Sequence, residues 1–157
     1  MKRMLSLLVV LVMLFLGGCS SEPSAPAVEI NVSDVYAGFE KTLPDMIKMD
    51  ANMMLNFCGI DAADCKEALV YVSADGLLAD EIWLIEAKDA AALSRLETLA
   101  KNRLERKGEE SKTYSPEQYA VVQDAQLILS GNYLALIVSP DVDALAKEYR
   151  AAAGIGE

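Results

Sequence analysis

The 157-residue chain has 24 acidic and 14 basic residues, a formal net charge of −10, and no histidine. This acidic balance argues against nucleic-acid binding, which depends on neutralising phosphates with Lys and Arg. The lack of histidine excludes Ser-His-Asp and Cys-His catalysis and histidine-based zinc sites. The composition therefore predicts no nucleic-acid partner and gives no support for a metal or other cofactor.

The first 19 residues carry the clearest signal in the chain. Lys2 and Arg3 precede an apolar run over Met4–Leu16, and Gly17-Gly18 stands directly before Cys19. This pattern predicts a lipoprotein signal peptide over residues 1–18, with diacylglyceryl transfer to the Cys19 thiol and cleavage before Cys19. The alternative, an uncleaved membrane span, needs about 20 apolar residues. We expect a protein that is anchored by lipid to the cell membrane, on its extracytoplasmic face.

The rest of the chain divides into a tether and one domain. Residues 19–32 are rich in Ser, Pro and Ala and predict a flexible tether, and residues 33–153 predict a single domain. Without residues 1–18 the chain has 12 basic against 24 acidic residues. This charge also argues against electrostatic adhesion to anionic lipid.

Two helices are predicted at the start of the domain. Ser33-Asp34 is typical of a helix N-cap. A second helix is expected to carry Met46, Met49, Met53 and Phe57 on one face and to end at Gly59.

Two hairpins and three more helices are predicted beyond Gly59. The expected strands are 68–74 and 81–87 in the first hairpin and 127–129 and 133–138 in the second. The first of the three helices is expected over 90–107, with Asp89 as its cap. The second is expected over 116–125, with a capping box at Ser115–Gln118, and the third begins at Asp141. This order predicts an α+β fold with a four-stranded antiparallel sheet from two hairpins (ββ-α-α-ββ-α), preceded by two N-terminal helices. Because the strands are apolar on both faces, we expect the N-terminal helices to cover the second face.

Cys58 and Cys65 are the two cysteines that remain once Cys19 is lipidated. An even number of thiols outside the cytoplasm suggests a disulfide, whereas an anaerobic host leaves both reduced. The methionine stripe near Cys58 has two interpretations as well: a soft-metal site for copper(I), or a flexible core-filling helix face, which its helical spacing favours.

Acidic and basic side chains cluster in three places. Asp80, Glu81 and Glu86 on the second strand suggest paired carboxylates or solvated strand ends, and Asp61, Asp64 and Glu67 lack the spacing of a calcium loop. The basic cluster consists of Lys101, Arg103, Arg106, Lys107 and Lys112. It is expected at the end of the long helix, where cations complement the helix dipole, or as a docking patch for an anionic wall polymer or lipid headgroup.

Four short motifs resemble an uncharacterised lipoprotein family of Gram-positive anaerobes, domain of unknown function 4358. They are Ala79-Asp80-Glu81-Ile82, Ile85-Glu86-Ala87-Lys88-Asp89, Tyr114-Ser115-Pro116-Glu117 and Gly131-Asn132-Tyr133. The resemblance extends over about residues 33–149. It implies attachment to the outer leaflet of a single plasma membrane and brings no known activity, cofactor or catalytic residue.

The sequence favours a non-enzymatic binding or interaction module of the cell envelope, with an envelope protein or a wall polymer as its partner. Two alternatives stay open. One is a carboxylate-dependent hydrolase that uses Asp80 or Glu86 and requires both in one cleft. The other is a soft-metal-handling lipoprotein that uses the methionines and cysteines.

Overall fold

A five-stranded antiparallel sheet forms the centre of the fold. The computed structural model describes residues 28–156. The strands are β1 (Met46–Lys48), β2 (Cys65–Ser73), β3 (Glu81–Ala87), β4 (Gln126–Ser130) and β5 (Tyr133–Val138). They are arranged in the order β1-β2-β3-β5-β4, and every neighbouring pair is antiparallel. The α+β class and the two hairpins are confirmed, and the predicted four-strand count is wrong because β1 adds a strand at the edge.

The described α-helices are α1 (Val32–Phe39), α2 (Ala51–Met53), α3 (Ala90–Tyr114), α4 (Pro116–Gln123) and α5 (Val142–Ala153). Two of them begin at the side-chain caps that the sequence predicts, whereas α1 is capped by Asn31 instead of Ser33-Asp34. The side chain of Asp89 accepts a hydrogen bond from the backbone N–H of Ala92, and that of Ser115 accepts one from Gln118. These bonds satisfy N–H groups that have no partner inside the helix, so both predicted starts are confirmed.

Helices cover both faces of the sheet and produce two apolar cores. On one face α1 and α5 pack Phe39, Leu145 and Tyr149 against β3 and β5. On the other face Leu96 of α3 and Val122 of α4 pack against the opposite sides of the same strands. The sequence predicted that the N-terminal helices cover the second face of the sheet. In the structure, α1 and the C-terminal α5 cover it together.

The methionine-rich segment is not the predicted second helix. Met46 lies in β1 and packs with the α1–α5 core, whereas Met49 packs with the core on the opposite face. Backbone pairing with β2, including a 2.8 Å bond from the Met49 N–H to the Val70 carbonyl, fixes this extended conformation. A short helix begins only after Asp50, which caps α2. It continues as a π-helical turn, Met54–Cys58, and ends at Gly59 as predicted.

Other boundaries also differ from the sequence prediction. Helix α3 continues to Tyr114, seven residues beyond the expected end. Ile30 and Val32, which were assigned to the tether, are buried in the α1–α5 core, and Asn31 caps α1. The predicted signal peptide, Cys19 and most of the tether lie outside the described residues. Within residues 28–156, no helix is long and apolar enough to cross a membrane.

Gly59 offers a test of how the π-helical turn ends. Its φ is +76°, and a Cβ there would stand 3.0 Å from Leu99 Cδ2. Gly59→Ala should therefore lower the free energy of unfolding by about 1–2 kcal/mol, since the left-handed conformation is costly for a residue with a Cβ. Urea denaturation of the full chain measures this loss.

Gly76→Ala is the matched control, because a Cβ at Gly76 has no heavy atom within 4 Å. It should change stability by less than about 0.5 kcal/mol. Equal effects of the two substitutions would contradict the conformational argument.

Candidate functional site

A carboxylate with no solvent exposure lies at the start of β3. The side chain of Glu81 is 0% exposed. Its Oε1 accepts a hydrogen bond from the indole Nε1 of Trp83 at 2.8 Å. A buried charge is costly unless it is paired and hydrogen-bonded, so the partners of Glu81 decide whether it is tolerated.

Two cations from one face of α3 neutralise Glu81. Arg103 donates from Nε to Oε1 at 2.9 Å and from Nη2 to Oε2 at 2.7 Å. Lys107, one helical turn later, donates from Nζ to Oε2 at 2.9 Å. An i,i+4 spacing places both side chains on the same face of the helix. These three residues form an ionic cluster that joins α3 to the first residue of β3.

The pKa of Glu81 reflects a balance between burial and these cations. Burial alone would raise the pKa, but the hydrogen bond from Arg103 and the positive charge of Lys107 outweigh it and hold the pKa below its usual range. The cluster therefore stabilises the fold at neutral pH. That contribution is lost as the pH falls through the folded-state pKa of Glu81.

The two cations also form the base of a pocket of about 290 Å³. Their side chains are 15% and 12% exposed, so they are largely but not completely covered. The walls are largely apolar and come from the segment after β1, α2, the π-helical turn, β2 and the β2–β3 turn: Met49, Met53, Phe57, Val72 and Leu78. Ser73 and the exposed Asp75 also line the pocket. We call this feature the hairpin pocket. It joins a polar base to apolar walls.

Asp80 is the second acid at the base of the hairpin pocket. Its side chain is buried, and burial raises the pKa above the usual range despite a hydrogen bond with Ser139 and the nearby charge of Lys107. The pKa values of the two acids are thus shifted in opposite directions, upward for Asp80 and downward for Glu81. Environments that push two pKa values apart are typical of functional sites and of structural ion-pair networks alike.

Exposed apolar side chains surround the mouth of the hairpin pocket. Phe57 and Leu78 line the pocket and are exposed, Phe57 to 57%. Leu77 lies between the lining residues Gly76 and Leu78 and is 71% exposed. Phe57 belongs to the π-helical turn, a type of helix that is frequent at functional sites. Contiguous exposed apolar groups mark binding surfaces more often than isolated ones do.

The polypeptide enters the domain at the other end of the sheet. Glu29 and Ile30 line a polar groove together with Glu86 and Tyr133. Asp80 precedes β3 and Glu86 stands near its end, so these two positions are separated by about 20 Å along the strand. The hairpin pocket therefore faces away from the residues that lead to the N-terminus.

The same separation bears on the paired-carboxylate interpretation. Asp80 lies in the hairpin pocket. Glu86 lies at the far end of β3, where its Oε1 forms an ion pair with Lys66 Nζ at 2.7 Å. Glycoside-hydrolysing carboxylates stand within roughly 10 Å of each other. Asp80 and Glu86 cannot act as such a pair.

The predicted docking patch is divided among intramolecular partners. Arg103 and Lys107 bind Glu81, Arg106 donates to the carbonyl of Phe57 at 2.7 Å, and Lys101 pairs with Glu97, one helical turn earlier, at 2.6 Å. The helix-dipole explanation is wrong for most of the cluster, because α3 ends at Tyr114 and only Lys112 lies in its last turn.

The two cysteines are separate thiols with different neighbours. Cys58 Sγ is buried 3.8 Å from Met49 Sδ, and Cys65 Sγ lies 3.7 Å from the carbonyl of Asp61. Burial, reinforced by Glu81 at Cys58 and by Asp64 at Cys65, raises the pKa of each thiol to about 11. A disulfide between them stays a prediction.

The methionines do not form the single stripe on which the soft-metal interpretation depends, because Met46 packs on the opposite face of the sheet from Met49 and Met53. What remains is the contact of Cys58 with Met49, and a raised thiol pKa disfavours the thiolate that binds metal. Within residues 28–156, no group of three or more Cys, Asp or Glu side chains is arranged to hold a metal ion.

Sequence reasoning named Glu81, Arg103 and Lys107 but did not bring them together. The acid was expected in a carboxylate pair or at a solvated strand end, and the cations at the end of a helix or in a docking patch. Two features of the sequence could have indicated the cluster. Glu81 is the first residue of the apolar strand EIWLIEA, and Arg103 and Lys107 stand at i,i+4 on the helix that follows.

The chain belongs to the family described as domain of unknown function 4358, whose model matches residues 40–139, nearly two thirds of the sequence. The four motifs that carried the resemblance lie inside this span. Neither the curated proteins nor the solved structures contain a match to the chain.

Removing the charge of Glu81 should destabilise the protein strongly. Glu81→Gln leaves Arg103 and Lys107 beside each other without a counter-ion, and breaking a buried pair in this way costs about 3–5 kcal/mol. Chemical denaturation of the full chain measures the loss.

Glu97→Gln is the matched control, because it removes the exposed partner of Lys101 from the same helix. It should cost less than about 1 kcal/mol. If the two substitutions had similar effects, the buried cluster would not carry the stability that we assign to it.

The raised thiol pKa values predict slow alkylation. At pH 8 in the folded, reduced chain, iodoacetamide should modify Cys58 and Cys65 at least tenfold more slowly than in the urea-unfolded chain, since the thiolate is the reactive form. Peptide mass spectrometry measures both rates. Rapid modification of the folded chain would contradict the burial argument, and a native product that reacts only after reduction would establish the disulfide.

Proposed function

We propose that this protein is a lipid-anchored binding module of the cell envelope, with no catalytic role, and that the hairpin pocket and its apolar rim bind a protein partner. The observation that carries the proposal is the exposed apolar rim, Phe57, Leu77 and Leu78, around a pocket with a charged base. Apolar side chains that are this exposed lose contact with water only when another surface covers them.

The anchor is supported by the sequence of residues 1–19. A basic start, an apolar run and Gly-Gly-Cys are the features that lipoprotein processing requires. Acyl chains on Cys19 then hold the chain at the extracytoplasmic face of the cell membrane, since two or more chains give stable attachment. The family resemblance to lipoproteins supports the same placement.

The position of the pocket fits an envelope partner. Residues 19–27 reach at most about 30 Å when fully extended, so the anchor keeps the domain near the membrane. The hairpin pocket lies at the opposite end of β3 from Glu29, about 20 Å farther along the sheet. An anchored domain can therefore present this surface to proteins outside the membrane.

A protein partner explains the rim better than a wall polymer does. The sequence suggested that an anionic polymer binds the basic cluster, but Lys101 and Arg106 have partners within the domain, and Arg103 and Lys107 are only 15% and 12% exposed at the base of the pocket. The rim offers apolar contacts, which protein side chains match and a polar polymer does not.

The chemistry of the pocket supports the proposed non-catalytic role. Glu81 is held by three donors and is ionised, so it is poorly placed to exchange a proton with a ligand. Asp80 is not paired with Glu86, which lies at the far end of β3. Asp75, another carboxylate that lines the pocket, is exposed and accepts a hydrogen bond from the Leu77 N–H within its own turn.

Photo-crosslinking in the native host tests the proposed surface. A photo-reactive amino acid in place of Leu77 should give one discrete adduct, identified by mass spectrometry, and Leu78→Asp should remove that adduct. Leu129 is the control position, since it is also exposed but lies on β4 at the other edge of the sheet. Identical adducts from Leu77 and Leu129, or none from Leu77, would contradict the proposal.

Intact-mass analysis of the membrane-extracted protein tests the anchor separately. The expected product begins at Cys19 and carries acyl chains. An unmodified Cys19, or a retained leader, would contradict the envelope location.

A further inference from the structure

The base of the hairpin pocket holds more donors than its own acids use. Lys107 Nζ has three N–H groups, and within residues 28–156 it donates to Glu81 alone. Arg103 uses Nε and Nη2 for the same carboxylate and leaves Nη1 without a hydrogen bond among the described residues. The two side chains therefore have N–H groups available to a ligand.

Glu81 cannot absorb these spare donors. A carboxylate offers about four lone-pair positions, and those of Glu81 already receive the indole of Trp83, the fork of Arg103 and the ammonium of Lys107. Burial raises the pKa of Asp80, the other buried acid of the base, and Asp75 is exposed and already accepts a hydrogen bond from the Leu77 N–H. A second anion is the group that best complements the base.

The size of the pocket limits what can carry that anion. A volume of about 290 Å³ is at or below the lower end of the range for small-molecule pockets and is enough for one large side chain. The apolar walls, which include Val72 and Leu78, match an aliphatic or aromatic group. The rim of Phe57 and Leu77 extends beyond the pocket, so the occupant belongs to a larger molecule that covers it.

An apolar residue at the end of a protein chain satisfies both conditions. Its side chain and its α-carboxylate are attached to one Cα, so both enter the same narrow pocket together. An internal acidic residue next to an apolar one would have to place two side chains there, while the chain enters and leaves. Capture of a terminal carboxylate is a known mode of peptide recognition.

We propose that the hairpin pocket binds the C-terminus of an envelope protein that ends in an apolar residue. The side chain contacts the apolar walls, and the terminal carboxylate accepts hydrogen bonds from Lys107 and Arg103. This inference rests on the proposed binding role of the pocket and specifies the chemistry of its ligand.

Two peptides that differ in one group test the inference. The full-length protein in phosphatidylcholine vesicles is titrated with acetyl-Gly-Ser-Gly-Leu as the free acid and as the carboxamide. Trp83, the single tryptophan of the chain, donates to Glu81 and reports on the base of the pocket by fluorescence. We expect the acid to bind at least about tenfold more tightly, as charge-assisted hydrogen bonds predict.

A third peptide and two variants complete the design. Acetyl-Gly-Ser-Gly-Gly as the free acid should bind at least tenfold more weakly than the leucine peptide, since it lacks the apolar side chain. Lys107→Met should abolish the preference for the acid, and Lys101→Met, an exposed position on the same helix, should keep it.

The outcomes separate this inference from the proposed function. Equal binding of acid and amide overturns the carboxylate assignment and leaves the apolar pocket as the binding site. Equal binding of the leucine and glycine peptides, or no binding of any peptide, overturns the inference, while crosslinking at Leu77 decides the proposed function independently. The comparison of acid with amide uses the unaltered protein, so it is decisive even if Lys107→Met fails to fold.

Discussion

The fold and its candidate site both depend on the ion pairing of Glu81 with Arg103 and Lys107. An ionised carboxylate that has lost its water is tolerated only where charge and hydrogen bonds replace that water. Here α3 supplies both cations and β3 supplies the indole of Trp83, so the long helix is fixed against the first residues of the central strand. Because a cluster of this kind is seldom more stabilising than well-packed apolar residues, its retention is better explained by the position it gives to Arg103 and Lys107 than by stability alone.

The hairpin pocket is a consequence of that arrangement. The cluster holds two cations below an opening whose walls come from the π-helical turn and the β2–β3 turn. One acid, Glu81, stays ionised beside its partners, whereas burial favours the protonated form of the other, Asp80. The base therefore presents the N–H donors of two cations within an acidic chain, and this is the feature to which we propose an anionic group binds.

Local sequence signals were sufficient for most of the elements but not for the site. The hairpins and the caps at Asp89 and Ser115 depend on neighbouring residues, so spacing and turn chemistry located them. The prediction of a helix from Met46 onward was wrong. Spacings of 3 and 4 residues between the methionines fit a helix, but the pairing of β1 with β2 fixes an extended conformation. The cluster at Glu81 joins residues 22 and 26 positions apart, and no local pattern indicates which acid a helix will cover.

The ionisation state of Glu81 is the most direct measure of this arrangement. Carbon-13 NMR of the glutamate side-chain carboxyls in the full-length protein, assigned by comparison with Glu81→Gln, follows it as the pH is lowered. We expect the Glu81 signal to remain that of a carboxylate through the range, near pH 4.3, in which exposed glutamates become protonated. Protonation of Glu81 at or above that range would contradict the claim that Arg103 and Lys107 hold a permanent charge at the base of the pocket.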